Sequence, residues 1–112
     1  MSRDAQECGV NVVIGLIGSK WKPSILWRLD EGDHRFAELR RGVGGITEKV
    51  LTDQLRELER DGLVSRTAHE GFPLRVDYAL TPLGEQLNAL LDPLAEWGDA
   101  YGAGALAEVA GG

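Results

Sequence analysis

At 112 residues, 43% of them apolar, the chain suffices for one compact domain and falls short of two. No apolar run approaches the roughly 18 residues of a membrane span, and no charged-then-apolar leader opens the sequence, so a cytoplasmic protein without a membrane partner is expected. The single cysteine excludes an internal disulfide, and a net charge of −6 argues against strong indiscriminate binding to nucleic acid.

In chain order, residues 8–18 read as a helix that opens at Cys8 and carries Val10, Val13, Ile14 and Ile17. Trp21 and Trp27 bracket Pro23-Ser24-Ile25-Leu26 on a second helix and read as core. Phe36-Ala37-Glu38-Leu39-Arg40-Arg41 makes a short helix with Phe36 and Leu39 as packing residues, and Gly42-Val43-Gly44-Gly45 turns the chain. The next helix, 47–61, carries the clearest signals. Thr47 is its N-cap, Ile46 is placed to staple onto Leu51, and Asp61-Gly62-Leu63 suits a Schellman ending against Leu58. Leu51, Leu55 and Leu58 form one apolar stripe; Lys49, Thr52, Asp53, Arg56 and Arg60 project from the other side.

Residues 63–68 and 75–80 are strand-like, the second alternating through Val76, Tyr78 and Leu80, and Glu70-Gly71-Phe72-Pro73 links them as a hairpin with Arg66 and Arg75 on its arms. After Thr81-Pro82 a long helix, 82–101, places Leu83, Leu87, Leu90, Leu91, Leu94 and Trp97 at helical spacing. So small a domain leaves that stripe and the N-terminal one uncovered, which predicts a homodimer with Val10, Val13, Ile14, Ile17, Leu87, Leu90, Leu91, Leu94 and Trp97 in its interface. Residues 102–112 have little to anchor them and are expected to form a flexible tail. The expected fold is therefore mainly α with a small antiparallel β-hairpin (α+β): a single domain over 1–101, a winged helix-turn-helix over about 36–80, and dimerisation helices at about 8–18 and 82–101.

Such a unit reads double-stranded DNA, and the charge distribution is compatible with it. Residues 1–75 hold all 12 Lys and Arg against 12 acids, whereas residues 76–112 hold six acids and no Lys or Arg. The excess acid is confined to the part away from the reading helix. Arg56 is the first candidate for a base edge, Lys49 the second; Thr47 and Thr52 suit phosphate or a thymine methyl, and Arg40, Arg41, Arg60 and Arg75 suit phosphates. Asp53 opposes DNA beside these positions. An enzyme has little support: His34 and His69 lie far apart, no Ser-His-acid or metal-ligand cluster is present, and no cofactor is expected.

The strings Arg35-Phe36-Ala37-Glu38-Leu39-Arg40-Arg41, Gly45-Ile46-Thr47-Glu48-Lys49-Val50-Leu51-Thr52 and Leu55-Arg56-Glu57-Leu58-Glu59-Arg60-Asp61-Gly62-Leu63-Val64 resemble the HxlR-type (MarR-like) family of bacterial winged-helix transcription regulators. The resemblance extends upstream to Cys8, Gly18-Ser19-Lys20-Trp21-Lys22 and Ile25-Leu26, and downstream to Tyr78-Ala79-Leu80-Thr81, Gly84 and Trp97, covering roughly residues 8 to 98. It implies a homodimeric regulator on a palindromic operator, often sensing oxidants or electrophiles, with Cys8 where the family's N-terminal cysteine stands. Related proteins commonly carry an uncharged side chain where this chain has Asp53.

A helix start stabilises a Cys8 thiolate whereas Asp4 and Glu7 oppose it, so the residues themselves leave its role open between sensor and packed thiol. Oxidation would end as an intersubunit disulfide, a mixed disulfide with a low-molecular-weight thiol, or a higher oxide. Two alternatives stand beside the DNA-binding regulator: a winged helix turned to protein contacts, and a regulator of a small non-thiol-reactive ligand at the dimer interface.

Overall fold

Local chemistry fixes the element boundaries in this computed structural model, which describes residues 8–104. The order is α1 (Gly9–Ile17), α2 (Lys22–Leu29), α3 (Phe36–Val43), α4 (Glu48–Arg60), β1 (Val64–His69), β2 (Arg75–Leu80) and α5 (Pro82–Gly102). Thr47 caps α4, its Oγ1 accepting from Val50 N at 3.2 Å. Past Asp61, Gly62 takes φ 78° and its N–H donates to the Glu59 carbonyl, while Leu63 N–H donates to Leu58 at 3.0 Å. That bond pair is a full Schellman ending, so both ends of the helix are where the capping residues put them.

The core gathers Ile25, Leu26 and Leu29 from α2, Leu39 from α3, Leu51, Leu55 and Leu58 from α4, and Ile46, Leu63 and Val64 from the adjoining segments. Each buried leucine contributes roughly 2 kcal/mol of transfer free energy, which holds the three helices as one platform. Ile46 and Leu51, on either side of the Thr47 cap, are both buried in this cluster, as a hydrophobic staple requires.

β1 and β2 form an antiparallel pair in the register Val64↔Leu80 to His69↔Arg75. A third strip joins them: His34 and Tyr78 exchange both backbone bonds, at 2.9 and 2.8 Å, which pins the hairpin to the α2–α3 connection. One isolated residue pair has no periodicity, which is why the sequence pattern gave no sign of it.

The start of α5 is fixed by contact with the end of α4. Thr81 Oγ1 donates to the Gly62 carbonyl at 2.6 Å and accepts from Gly84 N at 3.0 Å. The backbone at Gly84 then passes so close to Leu63 that a Cβ there would stand 2.1 Å from its carbonyl oxygen. Only glycine fits this crossing. Farther along, the buried Asn88 donates to the Leu26 carbonyl at 3.2 Å, tying α5 to α2.

Several expectations are corrected. Trp27, read as core, is 58% exposed, because α2 turns Ile25, Leu26 and Leu29 inward and leaves position 27 on the outer face; Trp21 does pack on the core. Gly42 lies inside α3, so the turn is carried by Gly44 and Gly45, both at positive φ. β1 runs one residue later than expected, and α5 reaches Gly102. The expected flexible tail falls, from residue 105 onward, outside the described residues.

Candidate nucleic-acid interface

Burying Leu51, Leu55 and Leu58 leaves the opposite face of α4 in solvent, and Arg56 stands exposed there with no hydrogen-bond or ion-pair partner among the described residues. Lys49 is not free: its Nζ lies 3.0 Å from Asp53 Oδ2, so the acid beside the candidate contact positions is neutralised one helical turn away. Thr52 is half-buried, and Thr47 keeps a hydroxyl proton to donate after its oxygen has capped the helix. Arg60 sits 3.6 Å from Asp61.

The turn before α4 is held by Arg40, whose Nε donates to the Ile46 carbonyl at 3.1 Å and whose other arm meets Glu48 at 3.3 Å. Arg40 is thus a structural clamp as well as a candidate phosphate ligand. Arg41, exposed beside it, has no such partner among the described residues. Together with Thr47 and the glycine turn these residues line an open groove of about 570 Å³ at the N-terminal end of α4. The free backbone amides of a helix start favour an anionic group there.

On the hairpin, Arg75 donates to Asp77 Oδ2 at 3.0 Å, and His69 Nε2 lies 2.8 Å from the same oxygen. The Arg75 hydrogen bond is the largest influence on the Asp77 carboxyl; it outweighs the opposing effect of burial and, joined by the smaller pull of His69 and the positive charge of both partners, holds the carboxyl below its ordinary value. Arg66, opposite Tyr78 in the register, is exposed and unpaired among the described residues. Of the two arm arginines, the one available to a phosphate without breaking a contact is therefore Arg66. Alternation alone could not distinguish them, since the distinction depends on Asp77, paired with Thr67, lying diagonally across from His69 and two residues from Arg75. At the hairpin tip Phe72 is fully exposed and Leu74 largely so.

Behind its exposed face, α4 is anchored by a polar network. Lys22, buried on α2, meets Glu57 Oε1 at 3.0 Å; Gln54 donates to the other Glu57 oxygen at 3.4 Å and accepts from Ser19 Oγ at 2.6 Å. Ser19 Oγ also accepts from the Lys22 backbone N–H at 3.0 Å. The α1–α2 junction, Gly18 to Lys22, is thereby fastened to the back of α4.

The apolar residues proposed for a partner divide into two groups. Val10, Ile14, Leu90, Leu94 and Trp97 are exposed, together with Val12, Leu83 and Tyr101; Trp97 and Tyr101 stack on each other with centroids 5.4 Å apart. Ile17, Leu87 and Leu91 are instead half-buried against the chain's own core, and Val13 is intermediate. Cys8 occupies the N-cap position of α1 and is exposed, so in this chain it is not a packed core thiol. No group of three or more potential metal ligands occurs among the described residues, and no helix among them is long and apolar enough to cross a membrane.

The HxlR-like helix-turn-helix family profile matches residues 16–105. An uncharacterised HTH-type transcriptional regulator of Methanothermobacter thermautotrophicus is 43% identical over 102 residues, covering 91% of this chain and 78% of that protein. Among solved structures, a MarR-family transcriptional regulator from Enterococcus faecalis V583 superposes with a TM-score of 0.80 at 43% identity, over 92% of this chain and 93% of that one. The redox regulator HypR in its reduced form superposes with a TM-score of 0.79 at 39% identity, over 83% of this chain and 92% of that one.

Proposed function

Because this chain belongs to the HxlR-like helix-turn-helix family of transcriptional regulators, we propose that it binds a palindromic DNA operator as a homodimer, with α4 in the major groove and the β1–β2 hairpin over the flanking backbone. The observation that carries the reading is Arg56, presented unpaired from the solvent face of a helix whose other face is locked into the core. A guanidinium so placed can make paired hydrogen bonds to guanine, and Arg41 and Arg66 flank it as phosphate ligands. The exposed stripes of α1 and α5 supply the surface for a two-fold partner.

Cys8 is the proposed sensor of oxidants or electrophiles. Its support is the exposed thiol at a helix start together with the likeness to a redox regulator. Oxidation of two such thiols by an added disulfide-forming oxidant would join two subunits, each losing one proton and one electron, and a low-molecular-weight disulfide would instead give a mixed disulfide.

The test is selection of bound sequences from a random duplex pool by the reduced protein at two salt concentrations, then footprinting with and without diamide. A palindromic site with half-sites spaced by one or two helical turns, released by diamide only while Cys8 is present, is expected. No enriched sequence would overturn the DNA reading, unchanged release in Cys8→Ser would overturn the sensor, and a monomer at micromolar concentration in sedimentation would overturn the dimer.

A further inference from the structure

Trp27 forms one wall of a second feature. Between α2 and α5 runs an open groove of about 320 Å³, at the lower end of the range for small-molecule sites, with Trp27 and Pro23 on one side and Leu91, Asp92, Ala95 and Asp99 on the other. Trp27, 58% exposed, borders this largely apolar trough.

The carboxylates of the groove lie off the exposed apolar stripe of α5. At about 100° per residue, Leu83, Leu90, Leu94, Trp97 and Tyr101 fall within about 40° of one line along α5, whereas Asp92, Ala95 and Asp99 lie about 120–180° round the helix. Leu91, expected in the dimer interface, lies between the two faces at about 80° and packs on the core at the groove floor.

Charge selects the occupant. Neither Asp92 nor Asp99 has a basic or hydrogen-bonding side-chain partner among the described residues, and from position 76 onward the sequence has no Lys or Arg to supply one. The aromatic wall acts in the same direction, since the face of an indole attracts cations; the Arg28 guanidinium already stands 5.6 Å from the Trp27 ring centre, itself held by Glu31 at 3.4 Å. Apolar floor, indole wall and two unneutralised carboxylates together disfavour anions and suit a compact apolar body bearing positive charge.

We propose that the α2–α5 groove binds a small lipophilic cation, with Trp27 and Leu91 contacting its apolar body and Asp92 and Asp99 supplying the countercharge. The site is independent of DNA binding and is tested on the protein alone.

The probe is tetraphenylphosphonium, with tetraphenylborate as an anion of the same shape, titrated calorimetrically into the full chain in sodium buffer. Saturable binding of one phosphonium per chain is expected, at least about tenfold tighter than the borate, and weakened by about tenfold both in Trp27→Ala and in the double variant Asp92→Asn/Asp99→Asn. Glu85→Gln, which removes a carboxylate in the first turn of α5 outside the groove, should bind as the parent does. All four positions are solvent-exposed, so the variants should fold, which a thermal melt verifies. Equal affinity for cation and anion, absence of saturable binding, unchanged binding in the groove variants, or loss in Glu85→Gln would each overturn the proposal.

Discussion

Removing the two partners of the Lys22–Glu57 pair should have unequal costs, because the partners are unequally buried. The Lys22 side chain is 6% exposed and the Glu57 side chain 39%, with 3.0 Å between Nζ and Oε1. Lys22→Met leaves a carboxylate that water reaches and that Gln54 still donates to, so the cost should be about 1–2 kcal/mol, well below that of a fully buried orphan. Glu57→Met leaves an ammonium in the interior without its countercharge, and should cost about 3 kcal/mol or more. Methionine at both positions removes both charges and restores apolar volume, so the double variant should lose about 1 kcal/mol or less. Urea denaturation at one fixed protein concentration measures all three, since association would make apparent stability depend on concentration. The reasoning is refuted if Lys22→Met costs as much as Glu57→Met, or if the two changes add in the double variant.

On DNA, Arg56→Ala should cost about 1–3 kcal/mol at one base position and relax preference there, whereas Arg66→Ala should weaken all sequences alike and flatten the salt dependence; competition binding over single-base operator variants distinguishes the two. Gly84→Ala should destabilise by about 1–3 kcal/mol or prevent folding, since the added methyl would stand 2.1 Å from the Leu63 carbonyl, and a loss under about 0.5 kcal/mol by thermal melting would contradict the close crossing. The Asp77 carboxyl titrates below its ordinary value, so its clasp on Arg75 and His69 should be fully formed above about pH 4 and lost as the pH falls through the lowered value. An NMR titration of the hairpin should show that acid transition in the parent and not in Asp77→Asn.

Where a local rule decides the outcome, the sequence was readable. Thr47, Gly62 and Thr81 each act through bonds spanning a few residues, and the helices they bound begin or end there. Residues whose state depends on a distant partner were not readable. Lys22 lies 35 positions from Glu57, and nothing local marks a lysine after a tryptophan as a buried one. Trp27 was assigned to the core on residue type, yet the rotation of α2 is set by Ile25, Leu26 and Leu29. The candidate DNA face shows the same division: the face of α4 follows from its leucine spacing, while the state of each cation depends on acids placed by the fold.

That last point bears on the acidic balance of the chain. Arg40, Lys49, Arg60 and Arg75 each have an acid of the same fold within 4 Å, so a phosphate must compete for them, whereas Arg41, Arg56 and Arg66 carry charge that nothing described neutralises. A chain of net charge −6 thus presents a few uncompensated arginines, with its surplus acid on the segment from residue 76 onward. Few free cations mean little counterion release and weak non-specific attraction. Tight binding would then require the guanidinium–base contacts to be correct and both half-sites to be engaged at once, so selectivity on DNA would arise from the scarcity of available charge as much as from the contacts themselves.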